Sequence, residues 1–166
     1  MPYLTRGYAA ALVASLLILY FTALTAAVNA YNTATQEQVE EAVEAQPVNV
    51  TVTSIFLHNV AVTWPLTVPA AGIIPFLWVW WSTGYVIGLL SLNYGVTPAS
   101  ALLTLTNAVF PEFLAYAVML AENLYVTFLA LTRGDAIDRL KTEYPKSIAI
   151  YLFALLLGAA MEAPLI

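Results

Sequence analysis

The sequence predicts an all-α, polytopic membrane protein. It has about five membrane segments, one of them short or broken, and a short acidic helix outside the bilayer. Three observations predict this. Hydrophobic residues fill 61% of the 166 positions and charged residues only 9%, against roughly 25% charged in a soluble domain. The apolar residues fall in blocks of about 20, the length that crosses ~30 Å of hydrocarbon. Proline and glycine interrupt these blocks in places that divide rather than abolish them. The whole chain, 1–166, reads as one integral membrane domain.

The first segment is 7–30, "GYAAALVASLLILYFTALTAAVNA". "VNA" at 28–30 has the form of a signal-peptidase site, but the apolar run is longer than the ~7–15 residues of a signal peptide. A signal anchor is the expectation. Next comes "TATQEQVEEAVEAQP", where Thr35 and Gln38 have capping-box spacing, Val39 and Val43 make a narrow apolar stripe, and Pro47 closes the segment. Glu37, Glu40, Glu41 and Glu44 place it outside the hydrocarbon, as a solvated acidic face. Residues 49–64 alternate like a strand at first, but Ile55 and Val62 suit an amphipathic helix at the interface, anchored by Trp64. The interfacial helix is the favoured reading. Asn49-Val50-Thr51 is a glycosylation triplet of a kind that chance produces often.

The second span, 66–92, contains Pro69, Gly72, Pro75, Gly84 and Gly88. Proline frees backbone carbonyls that then need partners inside protein, so a break near Pro75 is expected. Gly84 and Gly88 form a G-x-x-x-G pair, which lets two helix backbones approach closely, within the chain or across a dimer. Residues 97–132 exceed one crossing, and Pro111 divides them into a short 97–110 and a full 111–132. The polar loop 133–146 holds Arg133, Arg139, Lys141 and Lys146, four of the five basic residues, and 147–166 is the last span.

Basic residues favour the cytoplasmic side. Arg6 and the 133–146 loop are therefore expected inside a cell membrane, with the N-terminus cytoplasmic and the acidic segment outside. Segment 66–92 would then bring the chain back in, 97–110 would take it out, and 111–132 would return it.

Two glutamates stand within apolar sequence. With Pro111 in a first helical turn, Glu112 meets free N–H groups and the positive end of the helix dipole, as a helix-start residue near the interface. Glu122 lies ten positions on, about 15 Å along the helix, and so near the bilayer centre. A charge there costs at least ~2.5 kcal/mol. No lysine or arginine lies within a span, so Glu122 is expected to be neutral and hydrogen-bonded inside protein. Its role is either a structural interhelical bond or a functional site. Asn123, Asn59, His58 and Asn107 are the other intramembrane polar candidates. The two glutamates do not fall on one helix face, so they make no carboxylate pair.

No catalytic residues are assigned. One histidine and no cysteine exclude the usual zinc ligand sets, and intramembrane-protease signatures are absent, so neither metal nor cofactor is expected. The five basic residues form no stripe, which argues against nucleic acid.

The pieces "IFLHNVAV", "STGYVIGLL" and "PEFLAYAVMLAEN", within 55–132, resemble the stage II sporulation protein M (SpoIIM-like) family. The corresponding residues are Asn59, then Gly84 and Gly88, then Pro111, Glu112 and Glu122. The chain departs from the family where Glu112 directly follows Pro111, without an intervening His-Gly, and where Thr83-Gly84 replaces an Asn-Gly pair. The resemblance implies a multi-pass, non-enzymatic component. The expected function is a scaffold or assembly subunit in the lipid bilayer, a homo-oligomer with an unidentified membrane or external protein partner. The alternative is a small transporter or channel component with a mid-membrane carboxylate.

Overall fold

Thr5 opens the first helix, its hydroxyl accepting the Tyr8 N–H, and α1 then runs without interruption over Arg6–Thr33. The computed structural model describes residues 5–46, 50–108, 110–132 and 134–163, the side chains at 106–108 excepted. Seven further helices follow: α2 (Gln36–Glu44), α3 (Val52–Thr63), α4 (Ile73–Tyr94), α5 (Pro98–Ala108), α6 (Phe110–Leu131), α7 (Ala136–Thr142) and α8 (Tyr144–Glu162). A single 3-10 turn, Trp64–Thr67, continues α3. Among the described residues all regular structure is helical.

Four helices, α1, α4, α6 and α8, are long and apolar enough to cross a membrane. Their outer faces carry exposed Leu17, Phe21, Ile74, Trp78, Phe128 and Phe153. Apolar surface on that scale marks contact with lipid or protein rather than water. The short α5, with 11 residues, covers about 16 Å, half of what a crossing needs.

The small residues of α1 and α4 set the central contact. The indole N–H of Trp80 donates to the Leu19 carbonyl at 2.7 Å. A Cβ built on Gly84 would fall 2.6 Å from the Ala23 carbonyl oxygen, and one on Gly88 2.3 Å from that of Ala27. Residues 19, 23 and 27 thus meet 80, 84 and 88 in the same order, so α1 and α4 run parallel. The expectation that 66–92 reverses the direction of the first span is corrected. Two parallel helices need a return between them, and α3 with its 3-10 turn makes it.

That return packs lengthwise on α8. Thr63 meets Tyr151, while Asn59 meets Glu112, which in turn lies against Gly158. Residue numbers rise in one helix as they fall in the other, so α3 is antiparallel to α8. It is therefore a packed descending segment rather than an interfacial helix, although Trp64 stays exposed. The Thr51–Ser54 capping box that starts it stops the strand-like beginning of the segment from extending.

The turn from residue 68 to 72 explains the fate of Pro75. No break occurs there: α4 begins at Ile73, so Pro75 sits in a first turn, where its missing N–H costs nothing. The expected discontinuity lies just before it. Ala70 adopts a left-handed φ of 60°, and a Cβ on Gly72 would come 1.7 Å from the Pro65 carbonyl oxygen.

At the far end of α4, Gly95 takes φ 64° and turns the chain into α5. Leu102 packs with Ala23, Ala27 and Ile87. α6 then runs antiparallel to α4, with Trp80 against Phe113 and Phe76 against Tyr116. So α5 carries the chain from the end of α4 back to the level of Trp80, and α6 completes the same return. The expected pair of opposed crossings, 97–110 out and 111–132 in, is replaced by one divided return. Beyond α6, the Gly134 N–H bonds the Leu129 carbonyl at 2.8 Å and α7 folds back under the bundle.

The acidic helix α2 has the expected capping box at Thr35 and Gln38, and all four of its glutamates are exposed. It lies against Tyr85 and Leu89 of α4. The N-terminus of α1 sits at the opposite end, beside α7.

Candidate functional site

The two glutamates occupy two separate sites, and their depths are the reverse of the sequence expectation. Glu122 is near one end of the bundle. Its Oε1 accepts the Arg139 Nε–H and its Oε2 accepts from Arg139 Nη2, each at 2.7 Å. The Ser147 hydroxyl donates to Oε2 at 3.2 Å. Three donors thus converge on its two oxygens. The expected neutral acid without a cationic partner is corrected: α7 folds back and supplies Arg139, which is buried with it. The guanidinium carbon stands 4.9 Å from the Tyr8 ring centroid and 4.7 Å from that of Tyr125. Burial opposes the Arg139 charge, but the hydrogen bonds and charge of Glu122, then Tyr125 and Tyr8, hold it above the ordinary range for arginine.

Thr5 and Gly7 extend this clasp. The Thr5 hydroxyl donates to the Tyr125 hydroxyl at 3.0 Å, and Gly7 leaves room for the Tyr125 ring. The start of α1, the end of α6, α7 and the start of α8 are thereby joined. Asn123 does a related task one residue on. Its amide donates to the Leu66 carbonyl and, at 3.1 Å, to that of Met119, while its Oδ1 accepts the Ala70 N–H at 3.0 Å. Irregular backbone at membrane depth is tolerated only where such groups find partners, and Asn123 provides them.

Glu112 is in the first turn of α6, as expected, but that turn is not at the end of the bundle. Its neighbour Phe113 packs on Trp80, which bonds Leu19, close to the midpoint of α1. The physical reason is the division of the return: α5 takes up the first part, so α6 starts level with the middle of its neighbours. Glu112 is 7% exposed. Its Oε1 accepts from the Asn59 amide at 2.8 Å. Among the described residues no donor reaches Oε2. The stem rests on Gly158, where a Cβ would lie 2.1 Å from the Glu112 Cγ.

Glu112 borders a cavity of about 700 Å³ between α3, α4, α5, α6 and α8. Asn59, Tyr116 and Glu162 supply further polar groups, and Trp80, Phe113, Ile87 and Leu102 supply apolar wall. Exposed Gln46, Ser54, His58 and Thr83 stand at its mouth, next to the end of α2. Three of the candidate residues, His58, Asn59 and Glu112, thus come together. Glu122 and Asn123 belong to the other end, and Gly84 and Gly88 are used inside the chain. Asn107 falls in α5, but its side chain, like Arg133 and Asn49, lies outside the described residues. Among the described residues no group of three His, Asp or Glu side chains could hold a metal ion.

Sequence reasoning missed Arg139, Glu162, Tyr116 and Gly158. The apolar Ile137 and Leu140 flanking Arg139 are a weak sign of a packed short helix; Gly158 carries no local signal at all. The chain matches no family model, no curated protein and no solved structure.

Proposed function

We propose that this chain is a small membrane-embedded transport component whose substrate site is the cavity headed by Glu112. One observation carries the reading: a buried carboxylate at the junction of two helices, with a single neutral partner, facing a cavity large enough for a ligand. Discontinuous helices that frame a polar group are a recurrent way of building sites inside membranes. Glu122 has the opposite character, since its charge is fully matched.

The basic residues set the orientation in this reading. Arg6, Arg139, Lys141 and Lys146 gather at the α7 end, which faces the cytoplasm. The mouth of the cavity and the acidic α2 then face outward. The chain works without cofactor or catalysis, as a binding and translocating part of the cell membrane.

The test is solute and proton flux into proteoliposomes of the purified chain. Glu112→Gln keeps shape and can still bond Asn59, so it should fold normally and abolish flux. Flux that survives Glu112→Gln, or wild-type flux no greater than that of empty liposomes, sinks the reading.

A scaffold role of the kind the SpoIIM-like resemblance implies is the second reading. The exposed glutamates of α2 favour it, because they offer a basic external partner a separate surface. A homo-oligomer in that role needs a face other than Gly84 and Gly88.

A further inference from the structure

Resting on the transport reading, we infer that the cavity takes an organic cation with an apolar body, for which Glu112 is the counter-ion. Charge points first in that direction. Among the described residues, the carboxylates on the cavity wall are Glu112 and Glu162, and no lysine or arginine lines it. Ala45 and Gln46, which follow the acidic α2, stand at the mouth, while Arg139 and Lys146 are at the far end of the bundle. A cleft of one sign with low-dielectric walls concentrates ions of the other sign. An anion would meet the Glu112 carboxylate, and the one ionisable base among the described lining residues, His58, stands at the mouth within electrostatic reach of Glu162.

Size and wall chemistry then separate an organic cation from a proton or a metal ion. A cavity of about 700 Å³ is far larger than a small inorganic ion requires, and it falls within the ~300–1,000 Å³ of small-molecule sites. The described residues offer no three-ligand cluster for a metal. Trp80 instead packs with Tyr116 at 5.5 Å and with Phe113 at 6.1 Å between ring centroids, and all three rings line the space. Aromatic rings attract weakly hydrated cations through their quadrupoles. The Glu112 Oε1 is held by Asn59, and Gly158 fixes the stem. That leaves Oε2 for the charge of the ligand.

The experiment uses the full chain in nanodiscs and two probes of similar bulk, one cationic and one neutral. Saturable binding of radiolabelled tetraphenylphosphonium is measured against empty nanodiscs, with neutral triphenylphosphine oxide as competitor. Saturable phosphonium binding that the neutral competitor does not displace is expected. Glu112→Gln should weaken it by at least about tenfold, and Glu162→Gln by less. Thr83→Trp, at the exposed mouth, should block it even if Glu112→Gln folds poorly. If triphenylphosphine oxide competes fully and Glu112→Gln changes nothing, the cation inference is overturned while the cavity still serves as a ligand site. Binding of no probe, together with absent flux, would remove both.

Discussion

At the scale of single residues, two glutamates ten positions apart do different work because of what reaches them. Glu122 receives Arg139, which lies 17 positions later and was assigned by sequence to a solvated loop. No local pattern reveals so distant a partner, so the neutral state expected from composition gave way to a buried ion pair. The residue type was legible, the pairing was not. A buried pair is costly to break because the survivor keeps its charge: Glu122→Leu or Arg139→Leu should each destabilise by about 3–5 kcal/mol. Joint replacement by Leu and Met should recover most of that loss, since no charge is then stranded. Thermal unfolding in detergent checks this, and single variants as stable as wild type would contradict the pairing. Glu112 escapes such a lock: among the described residues its side chain is bonded to Asn59 alone. Gly158 shows why the site could not be read in full: its value lies in the absence of a Cβ beside a side chain 46 positions away in sequence.

At the scale of helices, the sequence showed the segments well and their directions poorly. The helices α1, α5, α6 and α8 start within three residues of the segments 7–30, 97–110, 111–132 and 147–166, whereas α4 starts at Ile73 rather than at 66. Direction failed for α4 and, with it, for α5. An interfacial helix over 49–64 followed by a span over 66–92 hides the true return and reverses α4. The deciding groups are long-range: Asn123 bonds the backbone of Leu66 and Ala70, and Thr63 meets Tyr151. Gly84 and Gly88 lie against the backbone of a neighbouring helix at Ala23 and Ala27. That helix is α1 of the same chain. Gly84→Leu and Gly88→Leu should each destabilise the fold, by at least the ~1–3 kcal/mol typical of overpacking. Light scattering in detergent should find the oligomeric state of any folded variant unchanged. Dissociation of an oligomer without loss of thermal stability would place that contact between subunits instead.

At the scale of the whole molecule, charge and depth are arranged along one axis. A clasp of Thr5, Tyr8, Glu122, Tyr125, Arg139 and Ser147 closes the basic end, and the Glu112 cavity opens toward the acidic end. If the basic end faces the cytoplasm, as proposed, Asp138→Cys in intact cells should resist an impermeant thiol reagent and Glu41→Cys should react; the reverse pattern would invert the protein. The division of the return into α5 and α6 is what separates the two carboxylates, by starting α6 level with the middle of α1. That separation is the central claim, that Glu112 faces an open cavity and Glu122 is locked in a dry ion pair. It is tested most directly by treating native membranes with a hydrophobic carbodiimide, which can reach a carboxyl group open to a cavity but not one locked against a guanidinium, and mapping the adducts by mass spectrometry. The account predicts an adduct on Glu112 and none on Glu122. An adduct on Glu122 with Glu112 untouched would contradict it.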